Sequence, residues 1–342
     1  MQALTPTSPP PVDSTDNPSR FQVLAVDGGG VRGIFVAAVL AALEADLEMP
    51  VAASFDLIVG TSTGGIVALA LGAGLSPGEI LNFYLAKKGR IFPSGLGWRA
   101  ARHLVTAKYR PKPLEHALQE VFGNKLLGES RIPLVIPAYD LAENTVHLFK
   151  TSHHPRLRRD HRIPMWQVAM ATTAAPSYFP AFRVPGEQSR LIDGGVWANN
   201  PAMVGVTEAV SMFGRDLSEL RVLSLGTTTS TQTRPVSLDN AGVLGWVRAP
   251  RVVDVLLRGQ SVGAFTQVQH LIGSEHAHRL DPAAPEGAAL DRCNASELIA
   301  KASHHSRMFS PTFESVFAGH SPIPYTPFHG INRKQGESNA AG

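Results

Sequence analysis

A single cysteine, Cys293, stands in a chain of 342 residues. Without a second thiol there is no disulfide framework, and the composition fits a reducing compartment. No apolar run reaches the roughly 18 residues that a membrane-spanning helix needs, which sets aside helical channels and transporters. Residues 1–20 lack the basic stretch and apolar core of a secretory signal; rich in Pro, Ser and Thr, they read as a disordered tail. Internal repeats are missing too, so solenoids and coiled coils drop out. Neither charge dominates, since 31 Lys and Arg against 28 Asp and Glu leave a net charge of +3. A balance so even selects no partner by itself, whether nucleotide, nucleic acid or anionic membrane.

What is present is 44% hydrophobic and 17% charged residues, the values of a globular protein with a substantial core. Residues 21–26 read as a buried strand, followed by Asp27, three glycines and an alanine-rich helix over 34–48. The plan repeats with a strand at 55–59, a turn at 60–65 and a helix at 66–74. Further strands are predicted at 131–138, 145–150, 190–193 and 221–225. Strands alternating with helices predict an α/β fold with a mostly parallel sheet covered on both faces. The expected organisation is a tail at 1–20, a core at 21–226, a polar loop at 227–242, a helical segment at 243–320 packed on the core, and a frayed end at 321–342.

The first glycine loop, "DGGGVRG", runs from Asp27 to Gly33 and contains G-x-G-x-x-G between a strand and a helix. A dinucleotide site would also need an acid at the end of the second strand to hold the ribose. That strand ends in Val59-Gly60, and its only acid, Asp56, sits at its start. No Lys-Ser/Thr pair follows the glycines, which removes a phosphate-binding P-loop. What remains is a set of backbone N–H groups at a helix start, with Arg32 adding a full positive charge. Such a loop suits an anion, including the oxyanion of ester cleavage, and equally suits a close-packed turn.

The second loop, Gly60-Thr61-Ser62-Thr63-Gly64, fits G-x-S-x-G between strand and helix, the setting of a nucleophile elbow. Taken alone, it is also an ordinary tight connection. A serine hydroxyl needs a base. His270, His276 and His278 lie downstream of candidate acids, but only one clear strand precedes the serine where a Ser-Asp-His hydrolase has several. The 13 histidines lack strand-end settings; "SHH" at 152–154 and again at 303–305 reads as polar loop or helix surface. Asp193 is the better base, because it closes the strand "RLID" and is followed by Gly194 and Gly195. There, burial can raise a carboxylate toward the working range.

The three pieces "DGGGVRG", "GTSTGG" and "DGG", in that order, resemble the patatin-like phospholipase family, as do "ATTAAPSYFP" (171–180) and "DGGVWANNP" (193–201). The resemblance implies a three-layer α/β/α fold and hydrolysis of membrane phospholipid acyl esters by a Ser-Asp dyad, with neither histidine nor metal in the chemistry and no cofactor. Carried onto this chain, Ser62 is the nucleophile and Asp193 the base. The Gly28, Gly29 and Gly30 backbone, supported by Arg32, forms the oxyanion hole. Gly33, Gly60, Gly64, Gly194 and Gly195 are the motif glycines.

A narrower resemblance, carried by "FDLIVGTSTGGIVALALGAG" and "GRIFP" (89–93), is to bacterial patatin-like effectors of cyclic-oligonucleotide antiphage systems. It implies a cyclic dinucleotide activator, a cytoplasmic protein acting peripherally at the inner face of the membrane, assembly of copies on activation, and no DNA or RNA partner. A constitutive bacterial lipid acyl hydrolase and a non-catalytic anion- or nucleotide-binding module are the competing readings. Ile91, Phe92, Leu96 and Trp98 in "GRIFPSGLGW" either dock on a bilayer or pack inward.

Overall fold

The computed structural model describes residues 20–93, 106–229, 242 and 251–330. Expectations for residues 1–19, for Leu96 and Trp98, for 230–241 and 243–250, and for 331–342 fall outside the described residues.

Strand β1 (Phe21–Val26) sits at the middle of a seven-stranded sheet and is buried along its whole length. Its side chains alternate between two cores. Leu24 and Val26 join one, while Phe21, Val23 and Ala25 join the other. A strand buried on both faces reads as a continuous apolar run, and "FQVLAV" does so except at Gln22. Gln22 donates its amide to the Ser54 and Phe317 carbonyls.

The sheet order is β4-β3-β2-β1-β6-β7, with β2 at Leu57–Gly60, β3 at Leu134–Asp140, β4 at Thr145–Lys150, β6 at Leu220–Leu225 and β7 at Ala277–Leu280. The pairs β1–β2, β1–β6, β2–β3 and β6–β7 are parallel, and β3–β4 is antiparallel. Helices cover both faces. On one face lie α1 (Gly33–Leu47), α2 (Thr63–Ala73), α3 (Pro77–Ile91), α4 (Lys112–Phe122) and α5 (Met165–Thr172). On the other are α6 (Ala202–Phe213) and α7 (Arg251–Ile272). The three layers and mostly parallel sheet are those expected; β1 and β4 have the expected bounds, and the ends of the other expected strands shift by at most three residues.

One arrangement positions the site. β4 occupies one flank of β3 from Val135 to Asp140. On the opposite flank β2 pairs only with Leu134 and Val135, and the short antiparallel β5 (Leu191–Asp193) takes its place from Ala138 to Asp140. The ends of β2 and β5 therefore point at each other along one edge of β3. Val59 pairs with Val135 and Ala138 with Asp193. The chain three residues beyond Val59, which is Ser62, arrives at the level of Asp193.

The segment 243–320 is expected to be helical from its pattern, and the structure departs from this at one strand. It contributes β7, which extends the main sheet beside β6. A four-residue strand with the polar sequence "AHRL" carries little period-2 signal. Helix α8 (Ala295–Phe313) lies along α1 and seals the core, with Phe313, and Phe317 from the π-helical turn that follows it, packed on Phe55. Ile91 and Phe92 turn inward, Phe92 meeting Tyr109 and Phe179.

If α8 belongs to this core, Phe313→Ala, which truncates a fully buried ring, lowers stability by about 3–5 kcal/mol. Urea unfolding measures this; a loss under about 1 kcal/mol would place α8 outside the cooperative unit.

Candidate active site

Ser62 stands between β2 and α2 with φ 56° and ψ −122°. A non-glycine residue with positive φ is strained and persists only where its surroundings hold it. The turn is tight enough to demand small neighbours. A Cβ on Gly64 would lie 2.3 Å from the Val26 carbonyl oxygen, and one on Gly60 would lie 2.2 Å from that of Gly64. The Ser62 N–H donates to Thr172 Oγ1 at 2.9 Å, and Thr172 Oγ1 donates to the Pro137 carbonyl at 2.6 Å. The elbow is thus tied to β3 through α5. Thr63 is bonded to Tyr84 on α3 through its hydroxyl (2.6 Å), and its carbonyl accepts from the Tyr84 hydroxyl at 3.0 Å.

The Ser62 hydroxyl donates to Asp193 Oδ2 at 2.6 Å, while Asp193 Oδ1 accepts the Gly195 N–H at 2.7 Å. Both side chains are buried, at 8% and 6% exposure. Burial pushes the Asp193 carboxyl up to about 6, against the two hydrogen bonds that favour its charged form. The pair can therefore move a proton from serine to carboxylate near neutral pH. Among the described residues no histidine lines the cavity at this pair. His153 is buried elsewhere, bonded to Thr151 and Glu208 and stacked on Phe213.

The glycine loop crosses just above. Gly28 approaches so closely that a Cβ there would meet Ser62 Cβ at 3.3 Å. The expectation that Gly28, Gly29 and Gly30 all offer N–H donors is corrected at Gly28, whose N–H is spent on the Asn199 carbonyl at 3.0 Å. Gly29 and Gly30 line the cavity, and among the described residues no hydrogen bond takes up their N–H groups. Arg32, expected to support this loop, contacts it directly. Its guanidinium donates to the Gly29 carbonyl at 3.3 Å and the Thr228 carbonyl at 2.8 Å, so it braces the loop through carbonyl oxygens. Gly33 packs beside Thr63, and Gly194 beside the Pro137 carbonyl, both in close contact.

Ser62 and Asp193 open onto a cavity of about 330 Å³. Its walls are largely apolar, including Ile66, Phe83, Ile91, Phe92 and Phe179, with Lys88 on the α3 side. Val196 and Leu256, 44% and 67% exposed, stand on its lining. Sequence reasoning missed Thr172, Tyr84, Asn199 and Thr227, the last donating to the Gly28 carbonyl at 2.8 Å. "ATTAAP" and "WANNP" hold two of them, but nothing in their spacing says which hydroxyl or carbonyl meets the loops.

A family model described as patatin-like phospholipase matches residues 24–206. The chain is 32% identical over 331 residues to a cGAMP-activated phospholipase of Pseudomonas aeruginosa (strain BWHPSA011 / Pa011), covering 93% of this chain and 98% of that protein. A protein of the same description from Vibrio cholerae serotype O1 is 31% identical over 343 residues, covering 90% and 94%. Patatin-like protein 2 of Arabidopsis thaliana is 33% identical over 266 residues, covering 66% and 64%.

Holding Asp193 in this pocket costs stability when it is charged. A carboxyl raised from 3.8 to about 6 is easiest to bury below pH 4, and that advantage is lost as pH rises through 6. Asp193→Asn removes the burden, so thermal unfolding at pH 8 finds the variant more stable than wild type by about 2–3 kcal/mol. The gap closes below pH 4. A variant less stable at pH 8 would contradict the buried charge.

Proposed function

We propose a reaction for a chain that belongs to the patatin-like phospholipase family: hydrolysis of phospholipid acyl esters through an acyl-serine intermediate on Ser62. The observation that carries this reading is the buried Ser62–Asp193 hydrogen bond beneath a glycine loop, at the floor of an apolar cavity. Ser62 Oγ attacks the ester carbonyl while Asp193 takes its proton. The oxygen that gains negative charge is stabilised by the Gly29 and Gly30 N–H groups and by the start of α2. Collapse of the tetrahedral species breaks the ester C–O bond, and Asp193 returns the proton to the leaving alcohol. Water, deprotonated by Asp193, then attacks the acyl-serine. The bond from Ser62 Oγ to the acyl carbon breaks, Asp193 returns the proton to Ser62 Oγ, and the fatty acid leaves.

The substrate class follows from the walls. An apolar cavity suits an acyl chain, and Lys88 at its side suits a phosphate. Exposed Val196 and Leu256 on the lining support uptake from a lipid surface by a peripherally bound protein. No helix among the described residues is long and apolar enough to cross a membrane.

Two relatives that span at least 90% of this chain carry cGAMP activation in their names. On that support we propose that a cyclic dinucleotide switches this hydrolase on, as part of bacterial antiphage defence.

Ser62→Ala and Asp193→Asn are each expected to lower ester turnover by at least about 10³-fold without unfolding the protein. Wild-type kcat/KM falls as pH drops through about 6, because the base must be ionised. Near-wild-type turnover in either variant would sink the dyad. For the activator, phospholipid vesicles are assayed with a panel of cyclic di- and trinucleotides. Hydrolysis only with one nucleotide supports the switch, and equal hydrolysis without any assigns a constitutive enzyme.

A further inference from the structure

The glycine loop is gripped from its N-terminal side by a partly buried ionic network that the hydrolytic reading does not use. Asp27, the residue immediately before Gly28, is buried, and both of its carboxylate oxygens are held by Arg279 of β7. Arg279 Nη1 donates to Oδ1 at 3.2 Å and Nη2 to Oδ2 at 2.6 Å. The same guanidinium donates to Ser224 Oγ at 2.6 Å and to Asp281 Oδ2 at 2.9 Å. Asp281 Oδ2 accepts in turn from Thr229 Oγ1 at 2.8 Å and from Arg258 Nη1 at 3.0 Å. Arg258 lies on α7, whose Leu256, Leu257 and Gln260 line the cavity. Two carboxylates and two guanidiniums thus form one chain of contacts from the cavity wall to the start of the loop.

Other grips on the loop come from the same half of the chain. Thr227 holds the Gly28 carbonyl, Thr228 accepts from Arg32, and the Val31 N–H donates to the Leu290 carbonyl at 2.8 Å. All of these partners lie beyond residue 206, where the family match ends. Asp27 reaches the loop directly through the backbone. Its own N–H is fixed on the Leu225 carbonyl at 2.9 Å, and its carbonyl oxygen lies against Gly64 of the elbow. A bidentate fork fixes the carboxylate plane and so the peptide that follows, which a single donor does not.

We infer that Arg279 is a positioning residue for ester cleavage: by clamping Asp27 it aims the Gly29 and Gly30 N–H groups at the oxyanion above Ser62. The inference rests on the acyl-serine reading of the site. A donor displaced by about an ångström loses most of its worth in the transition state while substrate binding is little altered. The clamp acts on kcat and leaves KM nearly unchanged. Burial pushes the Asp27 carboxyl up to about 6, against Arg279 and Arg258 and with Asp281, so without Arg279 a charged Asp27 has lost its main partner.

The experiment compares Arg279→Ala, Arg279→Lys, Asp281→Asn and Ser62→Ala in full-length protein, with a soluble fatty-acyl ester and with fluorophosphonate labelling of Ser62. Arg279→Ala is expected to lower kcat about 10²-fold with KM within about threefold, and to slow labelling in parallel. Arg279→Lys recovers only part of the rate, because an ammonium cannot hold both oxygens. If Arg279→Ala fails to fold, Asp281→Asn carries the test, its expected effect a loss of kcat of about tenfold at unchanged KM. A folded Arg279→Ala with kcat within about threefold of wild type, or a loss confined to KM, overturns the clamp; so does unchanged kcat in Asp281→Asn. Turnover by Ser62→Ala would instead bring down the acyl-serine reading itself.

Discussion

A 2.6 Å hydrogen bond joins the Ser62 hydroxyl to the Asp193 carboxylate across 131 residues of sequence, and the architecture around it answers to the cost of keeping it. A carboxylate out of water is expensive to ionise. Among the described residues, Ser62 and the Gly195 N–H relieve Asp193, which leaves its proton affinity near the working range of a base. The strained φ of Ser62 adds a second cost. Both are carried by a core buried on two faces of one sheet.

The sheet does more than provide stability. Because β4 fills one flank of β3, β2 and β5 must share the other, and their ends meet there. That forced encounter brings serine and aspartate together from positions far apart in sequence. The glycine loop is delivered to the same place by β1, the strand beside β2. Two loops and one strand end, each unremarkable alone, form a site because their strands are adjacent and in register.

Glycine serves two loops here. At Gly60 and Gly64 it allows backbone to pass within reach of backbone at the elbow. At Gly29 and Gly30, which line the cavity, it lets the loop lie against Thr227 and the Leu290 carbonyl, where a Cβ would come within 1.8 and 1.9 Å. Gly28, with the same letter in the same motif, gives its N–H to Asn199. A run of glycines marks a loop that comes close to something, but it does not say which N–H remains available.

Much of the fold and the pair at its centre were legible in the sequence. Continuous apolar runs such as "FQVLAV" and "LIVG" mark buried strands, and Gly-x-Ser-x-Gly and Asp-Gly-Gly at strand ends mark sharp turns, because local sterics and apolar periodicity act over a few residues. These short-range rules named Ser62 and Asp193 and pointed to the glycine loop. They could not reveal β7, whose polar "AHRL" is a strand only because the edge of β6 is there to pair with it. Nor could they show that Arg32 would turn to carbonyl oxygens or that Arg279 would find Asp27, 252 positions away. An isolated arginine carries no record of its partner. Which carboxylate it meets is decided when the sheet closes and buries both, since only then does an unpaired charge become too costly to leave alone.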